Sequence, residues 1–256
     1  MQLVGCQFDI QWEDRKANFD KVSQLLASLT ISEGSLIVLP EMFASGFSMN
    51  VDRIFEGDSS ETESFLENLA KQYKSCVVGG IVKRHESGKG LNMLSVYGPE
   101  GDYIGRYQKN HCFSFTGESD YYLSGEDIFT FDWQGFKVCP TICYDLRFPE
   151  LYRRGVRAGA DLFLTIASWP VDRVDHWDTL LKARAIENQA TVIGVNRVGN
   201  DPKWSYVGHS SIYDHQGKLL DQLVNLEGCV SANVSPEPLQ SWRSQFKALQ
   251  DMKENG

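Results

Sequence analysis

The stretch Val138-Cys-Pro-Thr-Ile-Cys-Tyr-Asp-Leu-Arg-Phe-Pro-Glu150 changes from apolar to polar at Cys143. Its first part is a short apolar run typical of a buried strand, and its second part is a proline-containing loop. A thiol at the end of such a strand is held by the core and can be reached from the loop. Taken alone, a cysteine in this position is more often an inert buried thiol than a nucleophile. Cys143 is therefore a candidate that other residues must support.

The regions on both sides of this stretch combine helical and strand patterns. Apolar strands alternate with helical spacing in the first third of the chain, where a helix is predicted over 18–29, and again over 145–196, where one is predicted over 174–188. Hairpin signals fill the middle and the end, the strongest being the Gly98-Pro-Glu-Gly101 turn between strands predicted over 91–97 and 103–107. A further strand is predicted over 209–213. This mixture predicts an α/β fold with mixed sheets and helices on their outer faces.

The chain shows no linker-like stretch and no internal repeat, so we expect a single domain over residues 1–256. The tail over about 238–256 is too apolar to extend freely into solvent. We expect it to pack on the body of the domain or on a second subunit.

Composition excludes several classes of protein. The chain has 256 residues and a net charge of −9 without a long basic run, which argues against nucleic acid as a partner. The N-terminus lacks a signal-peptide pattern, and no apolar stretch approaches the roughly 20 residues of a membrane-spanning helix. The six cysteines include no C-x-x-C pair, which disfavours a zinc ribbon. We therefore expect a cytoplasmic protein with no membrane partner.

Two further polar residues each follow an apolar strand of their own. Glu41 follows the run Leu36–Leu39, and carboxyl ends of strands are where α/β sheets place ligands. Lys109 lies just past a predicted strand over 103–107, among aromatic residues that could enclose it. The alternatives are a helix-capping or surface carboxylate and an ordinary surface lysine.

Together, Glu41, Lys109 and Cys143 suit a nucleophilic mechanism. The thiolate would attack an amide carbonyl carbon while Glu41 takes the thiol proton and passes it to the departing amine. Lys109 and the backbone N–H of Tyr144 would stabilise the oxyanion, and Lys109 would also lower the pKa of the thiol. The product of this step is a thioester.

These three motifs resemble those of the nitrilase superfamily of carbon–nitrogen hydrolases. Leu39-Pro-Glu41-Met-Phe43 is similar to its glutamate motif, Tyr107-Gln-Lys109-Asn-His111 to its lysine motif, and the stretch around Cys143 to its cysteine motif. The resemblance implies a four-layer αββα sandwich of two sheets with helices outside. It also implies a homodimer paired through helices, with no metal and no organic cofactor.

The resemblance extends to supporting residues. Glu118, in Phe115-Thr-Gly-Glu-Ser119, matches a second active-site carboxylate of the family that positions the lysine and the substrate. Arg184 and Glu187 lie in a segment similar to the family's helix before the next core strand. One helical turn separates them, so we expect them to brace the site rather than react.

The segment Ser168–Trp177 follows a core strand and is similar to that of the ω-amidase branch of the superfamily. That branch hydrolyses the terminal amide of 2-oxo acid amides such as 2-oxoglutaramate and 2-oxosuccinamate. Arg147 and Arg173 are candidates to bind a substrate carboxylate, and Trp169 and Phe115 are candidates for the pocket wall. Arg147 could instead be structural, paired with Glu150 or Asp145.

Three alternatives remain open from the sequence. The chain could be another nitrilase-superfamily amidase or an N-carbamoyl hydrolase. It could be a cysteine hydrolase that uses a histidine base, for which His111, His176, His209 and His215 are available. It could also be a non-catalytic dimeric binding protein.

Overall fold

Two β-sheets packed face to face form the centre of the computed structural model, which describes residues 1–57 and 60–253. The first sheet has the strand order β13-β1-β2-β3-β4-β5, and the second has the order β10-β11-β9-β8-β7-β6 with β12 paired to β11. The strands are β1 (Gln2–Gln7), β2 (Leu36–Val38), β3 (Cys76–Arg84), β4 (Gly90–Tyr97), β5 (Tyr103–Gln108), β6 (Phe131–Trp133), β7 (Phe136–Ile142), β8 (Leu162–Ala167), β9 (Thr191–Asn196), β10 (Val198–Asn200), β11 (Ser205–Tyr213), β12 (Leu219–Val224) and β13 (Gly228–Asn233).

Each sheet has a parallel centre and antiparallel flanks. Strands β1, β2 and β3 run parallel to one another in the first sheet, and β7, β8 and β9 do so in the second. The helices that connect and cover these strands are α1 (Arg15–Ala27), α2 (Val51–Ile54), α3 (Glu61–Tyr73), α4 (Glu118–Tyr121), α5 (Pro149–Arg157), α6 (Val174–Asn188) and α7 (Pro236–Gln245).

The inner faces of the two sheets share one apolar core. Leu3 and Val78 from the first sheet and Leu164 from the second belong to the same buried cluster. The sheets approach closely at Gly5, where an added Cβ would lie 2.7 Å from the Val195 Cγ2. Each fully buried aliphatic side chain of this core contributes about 1.5–3 kcal/mol to the stability of the fold.

Helices cover both outer faces. On the first sheet, α1 and α3 bury Leu26 and Leu66 against strand residues such as Val77. On the second sheet, α5 places the Tyr152 hydroxyl 2.9 Å from the Thr141 Oγ1. These four layers confirm the predicted αββα sandwich.

The described part of the tail packs on the body of its own chain. Leu239 on α7 is buried in the main core cluster. The Arg243 guanidinium donates hydrogen bonds to the carbonyl oxygens of Gln189, Ala160 and Asn188. In the described ranges no helix is both long and apolar enough to cross a membrane.

Candidate active site

Glu41 lies in the loop that follows β2. Strand β3 passes directly beneath this loop at Gly80, whose N–H donates to the Pro40 carbonyl oxygen at 3.3 Å. An added Cβ on Gly80 would lie 2.3 Å from the Met42 nitrogen, so a larger residue would displace the loop. Met42 itself has a φ of +45°, a conformation that a non-glycine residue adopts only when its surroundings hold it there. Contact with β3 therefore holds the backbone around Glu41 in place.

Lys109 follows β5 and is enclosed, with 1% of its surface exposed. Its Nζ lies 3.0 Å from the Glu41 Oε1 and 2.9 Å from the Glu118 Oε2. The Asn92 Nδ2 donates to the same two carboxylates, at 2.7 Å to Glu41 and 3.0 Å to Glu118. The structure thus brings the predicted residues Glu41, Lys109 and Glu118 into one buried cluster.

The charge of Lys109 depends on its two carboxylate partners. Burial alone lowers the pKa of this ammonium group because it removes water from the charged form. The negative charges of Glu118 and Glu41 outweigh burial and raise the pKa of Lys109 well above its ordinary value. The lysine is therefore protonated throughout the physiological pH range and acts as a fixed positive charge.

Cys143 lies at the sharp turn between β7 and the single 3₁₀ turn Cys143–Arg147. Its φ is +49°, so the backbone turns abruptly at this residue and presents the side chain at the strand end. The side chain is largely buried, and its Sγ lies 4.0 Å from the Ser168 carbonyl oxygen.

The resting thiol is neutral. Burial and the negative charge of Glu41 raise the pKa of Cys143 well above its ordinary value, although Lys109 acts in the opposite direction. Lys109 by itself lowers the thiol pKa, as expected, but burial and Glu41 have the larger effect. A thiol in this environment needs an adjacent base to ionise it.

Ser168 connects Glu41 to the second sheet. Its backbone N–H, just past β8, donates to the Glu41 Oε2 at 2.8 Å. With Oε1 bound to Lys109 and Asn92, both carboxylate oxygens of Glu41 have polar partners. The carboxylate is thereby held in one orientation between the two sheets.

Asp145 joins the turn after Cys143 to the loop that carries Lys109. Its carboxylate accepts hydrogen bonds from the Tyr107 hydroxyl at 2.7 Å, the His111 N–H at 2.9 Å and the Ile142 N–H at 3.0 Å. Asp145 is fully buried. It therefore fixes the relative positions of the cysteine and lysine segments.

Arg184 and Glu187 support the same turn from α6. The Arg184 Nη1 lies 2.8 Å from the Glu187 Oε1, and its Nη2 donates to the Leu146 carbonyl oxygen at 2.6 Å. These contacts place both residues behind the turn and away from the thiol.

A cavity opens beside the Cys143 thiol. Its lining includes four of the predicted substrate-binding residues; the full set is Phe47, Phe113, Cys143, Tyr144, Arg147, Ser168, Trp169, Pro170 and Arg173. The fifth predicted residue, Phe115, is 73% exposed and is not part of this lining. Phe113 takes the inner position, because the 3₁₀ turn Ser114–Thr116 carries Phe115 away from the cavity.

Two guanidinium groups share this cavity with the thiol. Arg147 stacks over the Trp169 ring at 4.7 Å and lies 3.1 Å from the His176 Nδ1, and in the described chain neither Glu150 nor Asp145 pairs with it. Burial, together with the positive charge of Arg173, lowers the pKa of Arg147. The Nη2 of Arg173 is buried and has no hydrogen-bond partner among the described residues. The cavity is therefore suited to an anionic group.

Sequence reasoning missed two residues of this site. Asn92 binds both carboxylates and was not singled out, and Asp145 binds both loops but was considered only as a partner of Arg147. Asn92 and Ser95 are the two polar residues in the mainly apolar segment 91–97, and an amide in such a segment was the available signal.

Comparison with known proteins agrees with this geometry. The family model for carbon–nitrogen hydrolases matches residues 4–244. The chain belongs to the carbon–nitrogen hydrolase family. This carbon–nitrogen hydrolase is 38% identical over 255 residues to the omega-amidase YafV of Yersinia enterocolitica, and the alignment covers 98% of this chain and 96% of that protein. It is 32% identical over 254 residues to the 2-oxoglutaramate amidase of Bacillus subtilis, covering 98% of each.

A solved structure of the same superfamily has the same fold over the whole length of this chain. XC1258 from Xanthomonas campestris, a CN-hydrolase superfamily protein with an arsenic adduct in the active site, superposes with a TM-score of 0.93 at 32% identity. The match covers 100% of this chain and 98% of that one. The resemblance to the nitrilase superfamily and its ω-amidase branch is confirmed, as is the class of hydrolase that acts on carbon–nitrogen bonds other than peptide bonds.

Proposed function

We propose that this protein is an amidohydrolase that releases ammonia from the terminal amide of small 2-oxo dicarboxylate monoamides, such as 2-oxoglutaramate and 2-oxosuccinamate. One observation carries the proposal: the cavity beside the Cys143 thiol also contains Arg147 and Arg173, and the buried Arg173 Nη2 has no hydrogen-bond partner in the described ranges. Such a pair of guanidinium groups suits a substrate that has a carboxylate at the end remote from the amide. The names of the relatives point in the same direction.

In the first half-reaction, Glu41 accepts the proton of the Cys143 thiol, and the thiolate sulfur attacks the amide carbonyl carbon. The new C–S bond makes a tetrahedral intermediate, whose oxyanion faces the Lys109 ammonium and the Tyr144 N–H. Glu41 then returns its proton to the amide nitrogen as the C–N bond breaks. Ammonia leaves, and the acyl group remains on Cys143 as a thioester.

In the second half-reaction, Glu41 removes a proton from a water molecule, and the resulting hydroxide attacks the thioester carbon. Collapse of this second intermediate breaks the C–S bond, releases the carboxylic acid and returns a proton to the sulfur. Glu118 takes no proton in this scheme, because its carboxylate is bound to Lys109 through both oxygens. Its proposed role is to position Lys109 and to keep it charged.

The substrate proposal is tested by ammonia release from a panel of four compounds: 2-oxoglutaramate, glutamine, a simple aliphatic nitrile and an N-carbamoyl amino acid. We expect the highest kcat/KM for 2-oxoglutaramate. A preference for the nitrile or for the carbamoyl compound would contradict the ω-amidase proposal, and the N-carbamoyl hydrolase alternative would then take its place.

The mechanism is tested separately with Cys143→Ala and Glu41→Gln proteins. We expect both to lose at least about a thousandfold in kcat, since each removes a group that acts directly in bond making. A thioester on Cys143 detected by mass spectrometry after rapid quenching would support the covalent step. Full activity of Cys143→Ala, or ligand binding without any covalent adduct, would count against it.

The Glu41→Gln protein also separates this mechanism from one that uses a histidine base. Of the histidines in the described chain, none lines the cavity, and His176 faces the Arg147 guanidinium. A Cys–His hydrolase would tolerate loss of the Glu41 charge, whereas the proposed mechanism would not.

We also propose, from the family resemblance, that two copies pair through α5 and α6. Ile186 on α6 is 50% exposed, which supports an apolar contact at this surface. Sedimentation equilibrium gives a direct test against the chain mass of 28.9 kDa. A single species of that mass would contradict the dimer.

A further inference from the structure

The guanidinium of Arg173 lies among three aromatic rings. Its Cζ lies 5.4 Å from the ring centroid of Phe113, 5.8 Å from that of Phe115 and 5.4 Å from that of Trp204. We call these three residues the aromatic clamp. Phe113 and Phe115 come from the segment that follows Lys109. Trp204 comes from the turn between β10 and β11, about 30 residues further along the chain than Arg173.

The turn that carries Trp204 is held rigidly. The Asp201 Oδ1 accepts the backbone N–H groups of Lys203 at 2.7 Å and Trp204 at 2.8 Å, and the Asp201 N–H donates to the Trp204 carbonyl oxygen at 2.9 Å. The Tyr206 hydroxyl donates to the other oxygen of Asp201. Four polar contacts thus define a turn of four residues and hold the backbone that carries Trp204.

A buried arginine anchors this turn to the body of the protein. Arg197 has no exposed surface, and its Nη2 binds the Asp9 carboxylate at 3.0 Å and the Asn200 carbonyl oxygen at 3.0 Å. Its guanidinium lies 4.6 Å from the Tyr206 ring centroid. Trp204 is therefore carried by a turn that is anchored to the body of the protein.

Two effects favour conformations of Arg173 in which its guanidinium lies outside the cavity. Arg147 lines the same cavity with a charge of the same sign, which disfavours two guanidinium groups side by side. An arginine side chain also has many alternative rotamers in solvent. The attraction of a cation to aromatic faces opposes both tendencies.

From these contacts we propose that Trp204 is a specificity-determining residue that positions Arg173 to receive the carboxylate of the substrate. Arg173 binds the carboxylate, and Trp204 acts only through Arg173. The inference rests on the proposed function, since it requires a substrate with a carboxylate. It assigns a role to a turn that lies outside every motif singled out in the sequence.

The test uses a matched pair of substrates. Succinamate and butyramide have the same four-carbon chain and the same amide, but succinamate has a carboxylate where butyramide has a methyl group. Trp204→Ala should raise KM for succinamate about fivefold, the range of one partly buried cation–π contact. KM for butyramide and kcat for both substrates should stay within about twofold of wild type, and Trp204→Phe should restore most of the loss.

Two further proteins separate positioning from a general structural effect. Trp12 lines the same outer cavity as Trp204, of about 240 Å³, but makes no ring contact with Arg173, so Trp12→Ala should leave the succinamate-to-butyramide ratio unchanged. In an Arg173→Ala background, Trp204→Ala should have no further effect on KM for succinamate, because the residue it positions is gone.

The outcomes distinguish this inference from the proposed function. A wild-type enzyme that hydrolyses butyramide at least as well as succinamate would overturn both. A succinamate-to-butyramide preference that Trp204→Ala leaves unchanged, or a Trp204→Ala effect that persists in the Arg173→Ala background, would overturn the role of Trp204 alone. Loss of activity toward both substrates to the same degree would also overturn it, because a positioning residue for the carboxylate cannot affect a neutral amide.

Discussion

Asp145 accepts a 2.7 Å hydrogen bond from the Tyr107 hydroxyl, and this contact joins the turn that follows Cys143 to the strand that precedes Lys109. The two segments come from different sheets. The hydroxyl is buried, and burial together with the Asp145 charge raises the pKa of Tyr107 well above its ordinary value. The tyrosine therefore keeps its proton at neutral pH and donates it to Asp145.

We predict that Asp145→Ala lowers the free energy of unfolding by about 3 kcal/mol, because several buried donors lose their acceptor at once. The expected loss for Tyr107→Phe is about 1 kcal/mol, since only one hydrogen bond is removed. Urea denaturation at pH 7 gives both values. Equal losses for the two variants would show that the other contacts of Asp145 contribute nothing.

Gly80→Ala should lower activity by at least about tenfold, since a misplaced reacting group is costly even without any change in chemistry. The added Cβ would lie 2.3 Å from the Met42 nitrogen and 2.8 Å from the Pro40 carbonyl oxygen, so the loop that carries Glu41 must shift. Gly57→Ala is the control, because an added Cβ there meets no atom of the described residues within 4 Å. The measurement is kcat with the preferred amide substrate, and normal activity of Gly80→Ala would argue against the close fit of β3 to this loop.

Asn92→Asp should lower kcat by about a hundredfold or more, because it places a third carboxylate against the two that surround Lys109. The Asn92 Nδ2 donates to Glu41 and Glu118, and an aspartate has no donor to replace it. Asn92→Ser keeps a short polar donor and should lose less. If both variants keep wild-type kcat, the orientation of Glu41 does not depend on this residue.

The stability of the protein should fall as pH rises above about 9, and Cys139 should account for part of the fall. Burial raises the pKa of Cys139 from its ordinary value of 9.0 to about 12. Between these values the unfolded chain loses the thiol proton and the folded protein keeps it, so rising pH favours unfolding by up to about 1.4 kcal/mol per pH unit for one such group. Below pH 9 the thiol is neutral in both states and has no effect.

A Cys139→Ala protein should therefore lose less stability than wild type between pH 8.5 and 10.5, by about 1–2 kcal/mol. The comparison uses the slope of the free energy of unfolding against pH, because the substitution also changes packing at every pH. Parallel slopes for the two proteins would contradict the assignment.

Local patterns in the sequence predict most helices of this fold but place some ends wrongly. The helix predicted over Val174–Asn188 has these bounds in the structure. The first helix, predicted from Asn18, begins at Arg15 because the Asp14 side chain accepts the Ala17 N–H and caps it. A polar first turn of this kind contains too few apolar residues for their spacing to predict it.

The strand β11 shows a different limit of prediction. The pattern predicted a strand from His209, whereas β11 begins at Ser205. Gly208 and His209 both have positive φ, and the register with β12 shifts at this point, so the two halves of the strand do not share one alternation. The first half exists because β10 pairs with it, and that partner lies outside any local window.

The residues of the candidate site also fall into two groups, those that local sequence patterns predict and those that they do not. Glu41, Lys109 and Cys143 are predicted to act together because each lies at or just past the end of a strand and their chemistry is complementary. Asn92 is 51 positions from its partner Glu41 and Asp145 is 38 positions from Tyr107, and no local feature of the sequence connects either pair.

The two halves of the site belong to different sheets, since Glu41 and Lys109 follow strands of the first and Cys143 and Ser168 follow strands of the second. Adjacent positions along a strand are about 3.3 Å apart, so a slip of one sheet over the other by a single residue would separate the thiol from its base. Enzymatic activity is for this reason a readout of correct assembly during folding. In a refolding experiment it should return only after the sheets have docked, later than the circular dichroism signal of the separate strands and helices.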